Sequence, residues 1–226
     1  GLSLPALLLS GLGTAMLAGG FLSMDGWVFG QNLLGLAPAV LAAGFGLTAV
    51  MLVPTLLARQ GLRQAEGQMV VLALIALAGL WGTGTAMALT LAGYNLLPVL
   101  IPEALPLHVL LGAGGFLTLA AFGVSYKLFA MFLLAPERHG PLRKAVFGMA
   151  ALVVGLVLGL AGSVLAGGPG LPLGLPVAVA GAVTAGLYLT EMLRLWRSRH
   201  RLQTEVNMQW SRAAMICLAM SAALIV

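Results

Sequence analysis

The chain has 226 residues, of which 61% are hydrophobic and 8% charged, with 31 glycines and a mean hydropathy of +1.07. Soluble domains carry about 25% charged residues, and disordered chains combine low hydrophobicity with high charge, so both classes are excluded. A spanning helix takes about 20 apolar residues, and seven such helices with short loops would use the whole length.

In chain order, the apolar runs predict helices over about Leu2–Leu22, Leu33–Leu57, Met69–Ala92, Leu107–Leu134, Ala145–Ala166, Leu173–Leu193 and an incomplete Ala213–Val226. Transmembrane strands would be about ten residues long with alternating polarity; these runs are longer and do not alternate. The expected fold is therefore an all-α, polytopic transmembrane bundle of about seven spans, forming one domain over residues 1–226. The stretch after Arg212 covers only about 21 Å of a ~30 Å hydrocarbon core at 1.5 Å per residue, and the chain begins at Gly1 rather than Met. Both ends are thus expected to belong to a longer chain.

The loops alternate in charge. Loops 24–32, 93–106 and 167–172 contain no Lys or Arg. Arg59 and Arg63 lie in the second loop, Arg138, Arg143 and Lys144 in the fourth, and Arg194, Arg197, Arg199, Arg201 and Arg212 in segment 194–212. Ten of the eleven basic residues therefore fall on one side, and the positive-inside rule places that side, with the N-terminus, in the cytoplasm. The net charge of +5 is a topology signal, and nucleic acid is not an expected partner. The expected location is the cytoplasmic (inner) membrane of a bacterial cell, with the lipid bilayer as the first partner. The lone Cys217 is expected to pack as a small apolar residue.

Gly155, Gly159 and Gly162 share one face of the fifth run, Gly181 and Ala185 repeat the small-xxx-small spacing in the sixth, and Gly79, Gly82 and Gly84 lie close together in the third. Small residues let helices approach closely in lipid, so these glycines are expected to pack the bundle; the alternative is that they make room for a flat cofactor. Pro38 and Pro54 sit near the two ends of the second run.

Polar groups inside the bilayer are costly and mark function. The fourth run is the richest. At 100° per residue His108, Gly112, Gly115, Leu119, Phe122 and Tyr126 share a face, with Tyr126 about 27 Å deeper than His108. His108 is a candidate haem or metal ligand; the plainer alternative is an interfacial histidine bonded to Glu103, loop carbonyls or water. Lys127 either snorkels to the headgroups or serves an ion pathway or pairs with Glu191. Glu191 and Arg194 are i,i+3 neighbours, and Glu191 is a candidate proton entry point. Trp196 is a natural interface anchor. His139 and His200 fall in basic loops, at the wrong depth to join His108. The sequence contains no P-loop, HExxH, nucleophile elbow or dinucleotide fingerprint.

The stretch from Leu107 to Glu137 carries a histidine near the outer end, then Gly-Phe-Leu-Thr at 115–118 and Phe-Gly-Val-Ser-Tyr-Lys at 122–127, with an exit at Pro136. It resembles a helix of the haem–copper oxidase subunit I superfamily, closest to the cbb3-type oxidases and their oxidase-like relatives. The resemblance implies a haem held by His108, with Gly112, Gly115 and Tyr126 near it, and a role in respiratory electron transfer or gas reduction beside other membrane subunits or a redox partner. In that family the following helix supplies a His-His pair to copper. Here residues 163–169 read SVLAGGP, so the copper site is incomplete. The alternatives are a non-catalytic accessory subunit of a membrane complex and a transporter subunit that uses Tyr126, Lys127 and Glu191.

Overall fold

The structure, a computed structural model, describes residues 1–23, 28–58, 62, 64–94, 101–136, 140–168, 174–200 and 206–225. Among these the chain forms seven helices and no strand. They are α1 (Ser3–Leu22), α2 (Val28–Ala58), α3 (Ala65–Leu91), α4 (Ile101–Leu133), α5 (Pro141–Leu165), α6 (Gly174–Arg197) and α7 (Val206–Ile225). Six of them, α1 to α6, are long and apolar enough to cross a membrane. The protein is a multi-pass helical membrane bundle.

Two boundaries differ from the sequence expectation in a way that matters below. Helix α5 starts at Pro141, directly after an extended Gly140. Proline suits the first helical position, where its missing N–H costs nothing. Arg143 therefore sits in the first turn of a helix and not in a loop. Helix α7 starts at Val206, so Arg212 lies within it. Helix α7, with Asn207, Gln209 and Arg212 in its first two turns, is not one of those six.

Helices α3, α4, α5 and α6 enclose the buried core, to which α7 adds Met208. Helices α1 and α2 form a hairpin attached through α2, where Trp81 Nε1 of α3 donates to the Pro38 carbonyl at 2.9 Å. Glycine closes the hairpin: a Cβ on Gly13 would fall 2.7 Å from Leu41 Cγ, and one on Gly20 2.7 Å from Leu34 Cγ. Real side chains never sit that close, so these two positions require glycine for helix approach.

The glycines of α5 behave in the opposite way. Gly148, Gly155, Gly159 and Gly162 lie on the exposed face of the helix, and a Cβ at any of them would meet nothing within 4 Å. Gly155-xxx-Gly159 therefore packs no helix among the described residues. The core face of α5 is instead carried by Val146, Ala150, Val154, Val157, Leu160 and Val164.

Helix α4 is not uniform. Leu110–Leu117 is π-helical, between α-helical stretches Ile101–Val109 and Thr118–Leu133. In a π-helix the hydrogen bonds run i→i+5, so the turn is wider; Thr118 Oγ1 donates to Ala113 O, five residues back, at 2.7 Å. The wide turn absorbs one residue. The buried line of α4 thus runs Leu107, Leu111, Gly115, Leu119, Phe122, Tyr126, in steps of four through the π stretch. The face aligned with Tyr126 begins at Leu107 instead of His108. His108 and Gly112 are half-buried beside it, turned by about one residue, or ~100°, around the helix.

Candidate functional site

Helices α4, α5 and α6 converge at the basic end of the bundle, and there they bury charge. Arg143 from the first turn of α5 is 8% exposed and Glu191 from α6 is 6% exposed. Arg143 Nε donates to Glu191 Oε1 at 3.0 Å. Tyr126 of α4, 2% exposed, donates its hydroxyl to the other carboxylate oxygen, Oε2, at 2.9 Å. The Arg143 guanidinium also lies over the Tyr126 ring, 4.6 Å from its centre. Both oxygens of the carboxylate are thus occupied, each by a donor from a different helix.

The site continues inward as aromatic and hydroxyl groups. The Tyr126 ring meets Tyr188 of α6 edge to face, with centroids 5.7 Å apart. Tyr188 stacks on Phe122 at 3.7 Å, and its hydroxyl shares a 2.5 Å hydrogen bond with Ser125 Oγ. Helical spacing explains the arrangement. Phe122, Ser125 and Tyr126 occupy adjacent turns of α4, and Tyr188 and Glu191 are i,i+3 neighbours on the inner face of α6. Backbone contacts fix the same end, because His200 N donates to Leu133 O, the last carbonyl of α4, at 3.2 Å.

A cavity of about 290 Å³ opens over the pair between the start of α5 and the end of α6. Leu142, Arg143, Glu191, Arg194 and Leu195 line it. Arg194 is exposed, and the partner of Glu191 is Arg143 from α5 instead. Lys127 is exposed on α4.

His108 lies toward the other end of α4 and has a different setting. Its Nδ1 is 3.1 Å from Thr83 Oγ1 of α3. Thr83 Oγ1 is also 3.0 Å from Gly79 O and 3.1 Å from Leu80 O, and it is buried. A hydroxyl has one proton and two lone pairs. In the tautomer that carries its proton on Nδ1, Thr83 accepts from Nδ1–H while giving its own proton to its helix, and Nε2 holds the bare lone pair. The ring rests on Gly84, where a Cβ would come 2.8 Å from Cε1 of the imidazole. Glycine at 84 is what admits the ring.

The other glycines expected near His108 are filled by α3. A Cβ on Gly115 would fall 2.7 Å from Ala76 Cβ, and one on Gly112 would fall 3.2 Å from Leu80 Cδ1. Among the described residues no three His, Cys, Asp or Glu side chains group around a common point. His139 lies outside the described residues, as do Arg59, Arg63, Arg138 and Arg201.

The structure therefore brings Tyr126 and Glu191 together and leaves His108 apart from them. Sequence reasoning missed Arg143, Tyr188, Ser125 and Thr83. A signal for Arg143 was present: Gly140-Pro141 marks a helix start, which puts Arg143 on α5 with its side chain able to point inward. No protein-family model matches the chain, and no curated protein and no solved structure is found similar to it.

Proposed function

We propose that this is a proton- or ion-handling protein of the cytoplasmic membrane, working through Glu191 in the manner of a transporter subunit. The observation that supports it is a carboxylate buried against an arginine and a phenol from three different helices. Burying two charges costs more than their attraction commonly returns, and ionisable groups within a membrane bundle mark ion paths and proton relays. The carboxylate has two states with distinct partners: ionised, it holds Arg143 and accepts from Tyr126; protonated, it releases Arg143. The cavity gives it access from the basic side, and Tyr126, Tyr188 and Ser125 extend polar groups inward. The test is flux into proteoliposomes read by an internal pH dye. Glu191→Gln is expected to lower flux at least tenfold with the protein still monodisperse; unchanged flux removes the proposal.

A second reading rests on His108 and keeps the kinship to haem–copper oxidase-like proteins as a proposal. Its support is the Thr83 contact. Metal-bound histidines are oriented by a hydrogen bond at the other ring nitrogen, and here Nδ1 is held while Nε2 keeps its lone pair. Among the described residues His108 is the one that would hold a haem. Gly112 and Gly115 do not fit as room for a ring between α3 and α4, since Leu80 and Ala76 fill those places. A bound haem would supply one-electron transfer; His108 would hold it and Thr83 would set the imidazole's orientation. The purified protein would then show a Soret band that is lost in His108→Ala, and a colourless preparation from haem-replete cells would overturn it. A chain with neither flux nor colour, purifying tightly with larger membrane proteins, would instead be an accessory subunit.

A further inference from the structure

We infer that the cavity between the start of α5 and the end of α6 is a binding site for a phosphate-bearing anion, with an anionic lipid headgroup as the favoured source. The inference stands independently of proton flux through Glu191.

The charge of the cavity has the right sign. Arg143, Arg194 and Glu191 line it. Glu191 is matched by Arg143 at 3.0 Å, so the charge of Arg194 is left over. Arg194 is exposed and not drawn into the buried pair, which leaves its side chain room to follow a ligand. Polarity at the wall adds to this. Gly140, Pro141 and Leu142 line the same cavity, and no side chain caps the start of α5. The opposing wall is apolar, with Leu195. Planar guanidinium groups are the side chains best suited to phosphate oxygens.

The size and depth fit a headgroup. At about 290 Å³ the cavity falls just below the range of drug-sized ligand sites, ~300–1,000 Å³, enough for a phosphodiester and its first waters. Glu191 lies six residues, about 9 Å, before Arg197, the end of α6, and Arg194 three residues, about 4.5 Å, before it, so the cavity lies within the last two turns. Trp196, an interfacial residue type, lies on the same turn as Leu195 and is flanked by Arg199 at 5.2 Å and Arg212 at 5.9 Å. Basic pockets between membrane helices on the cytoplasmic side are where anionic headgroups bind.

The test is native mass spectrometry of the purified chain in neutral detergent, titrated with phosphatidylglycerol or phosphatidylcholine. Phosphatidylglycerol is expected to bind in preference to phosphatidylcholine. Arg194→Gln is expected to weaken it about fivefold, from roughly 1 kcal/mol per basic residue near the surface. Leu142→Glu, which puts a carboxylate into the cavity lining, should abolish the preference. Arg197→Gln, on the same helix but outside the cavity, should leave it intact. Inorganic phosphate distinguishes the sources: displacement of the lipid by millimolar phosphate, with the same dependence on Arg194, identifies a free anion, and no displacement identifies the lipid. Equal binding of the two lipids, or equal effects of Arg194→Gln and Arg197→Gln, overturns the inference.

Discussion

The two ends of α4 solve the same problem differently. At the basic end Tyr126 helps hold a charged pair assembled from α4, α5 and α6. Toward the other end His108 is accommodated by one hydroxyl and one missing side chain, both on α3. A charge deep in a helical bundle needs an opposite charge from another segment, so the first site joins three helices. A neutral imidazole needs only a hydrogen-bond partner and space, so the second joins two. The contrast ranks the consequences of disturbing each end.

Arg143→Ala should be the most damaging change. It leaves the Glu191 carboxylate buried without its cation, which costs about 3–5 kcal/mol; thermal unfolding in detergent should show it, and the double change Arg143→Leu with Glu191→Leu should recover most of the loss. A single-variant effect below about 1 kcal/mol would mean that the pair is hydrated and the contrast is wrong. Tyr126→Phe removes one hydrogen bond to a charged oxygen while keeping the ring, for about 1–2 kcal/mol. Thr83→Val should cost less, about 0.5–1.5 kcal/mol, because the bond it removes is between neutral groups. If Thr83→Val proves worse than Tyr126→Phe, the histidine end is the more constrained site. Gly159→Ala should be smallest, within about 0.5 kcal/mol, because its Cβ would enter open space; a large loss in the purified chain would show that the exposed face of α5 is covered in solution.

The sequence made some layers visible and hid others for physical reasons. Hydropathy exposes helices because apolar length is a one-dimensional quantity, and six of the runs do appear as apolar helices. Tyr126 and Glu191 were legible because polar residues are rare inside such runs. Their partnership was not, since it depends on which helices adjoin. Glu191 had Arg194 one turn away in sequence, yet its cation comes from Arg143, 48 residues earlier. The glycine spacing of α5 was legible as a motif, but spacing is silent about which face a helix turns inward. Gly13 and Gly20, close against Leu41 and Leu34, carry no stronger motif and yet pack.

The π-helical turn at Leu110–Leu117 gives α4 a spare residue that its neighbours do not have. Removing one residue there, for example the exposed Gly114, around which a Cβ would meet nothing, would return the helix to a plain α repeat. Everything before the cut would keep its orientation to Tyr126, because Leu107 would then stand 18 residues, five full α turns, from it. His108 would stay beside Thr83 and Leu107 on the core line. Closing the π turn at full length is instead the change that would turn the helix before it by about 100° and exchange a leucine for an imidazole on the inner face of the bundle.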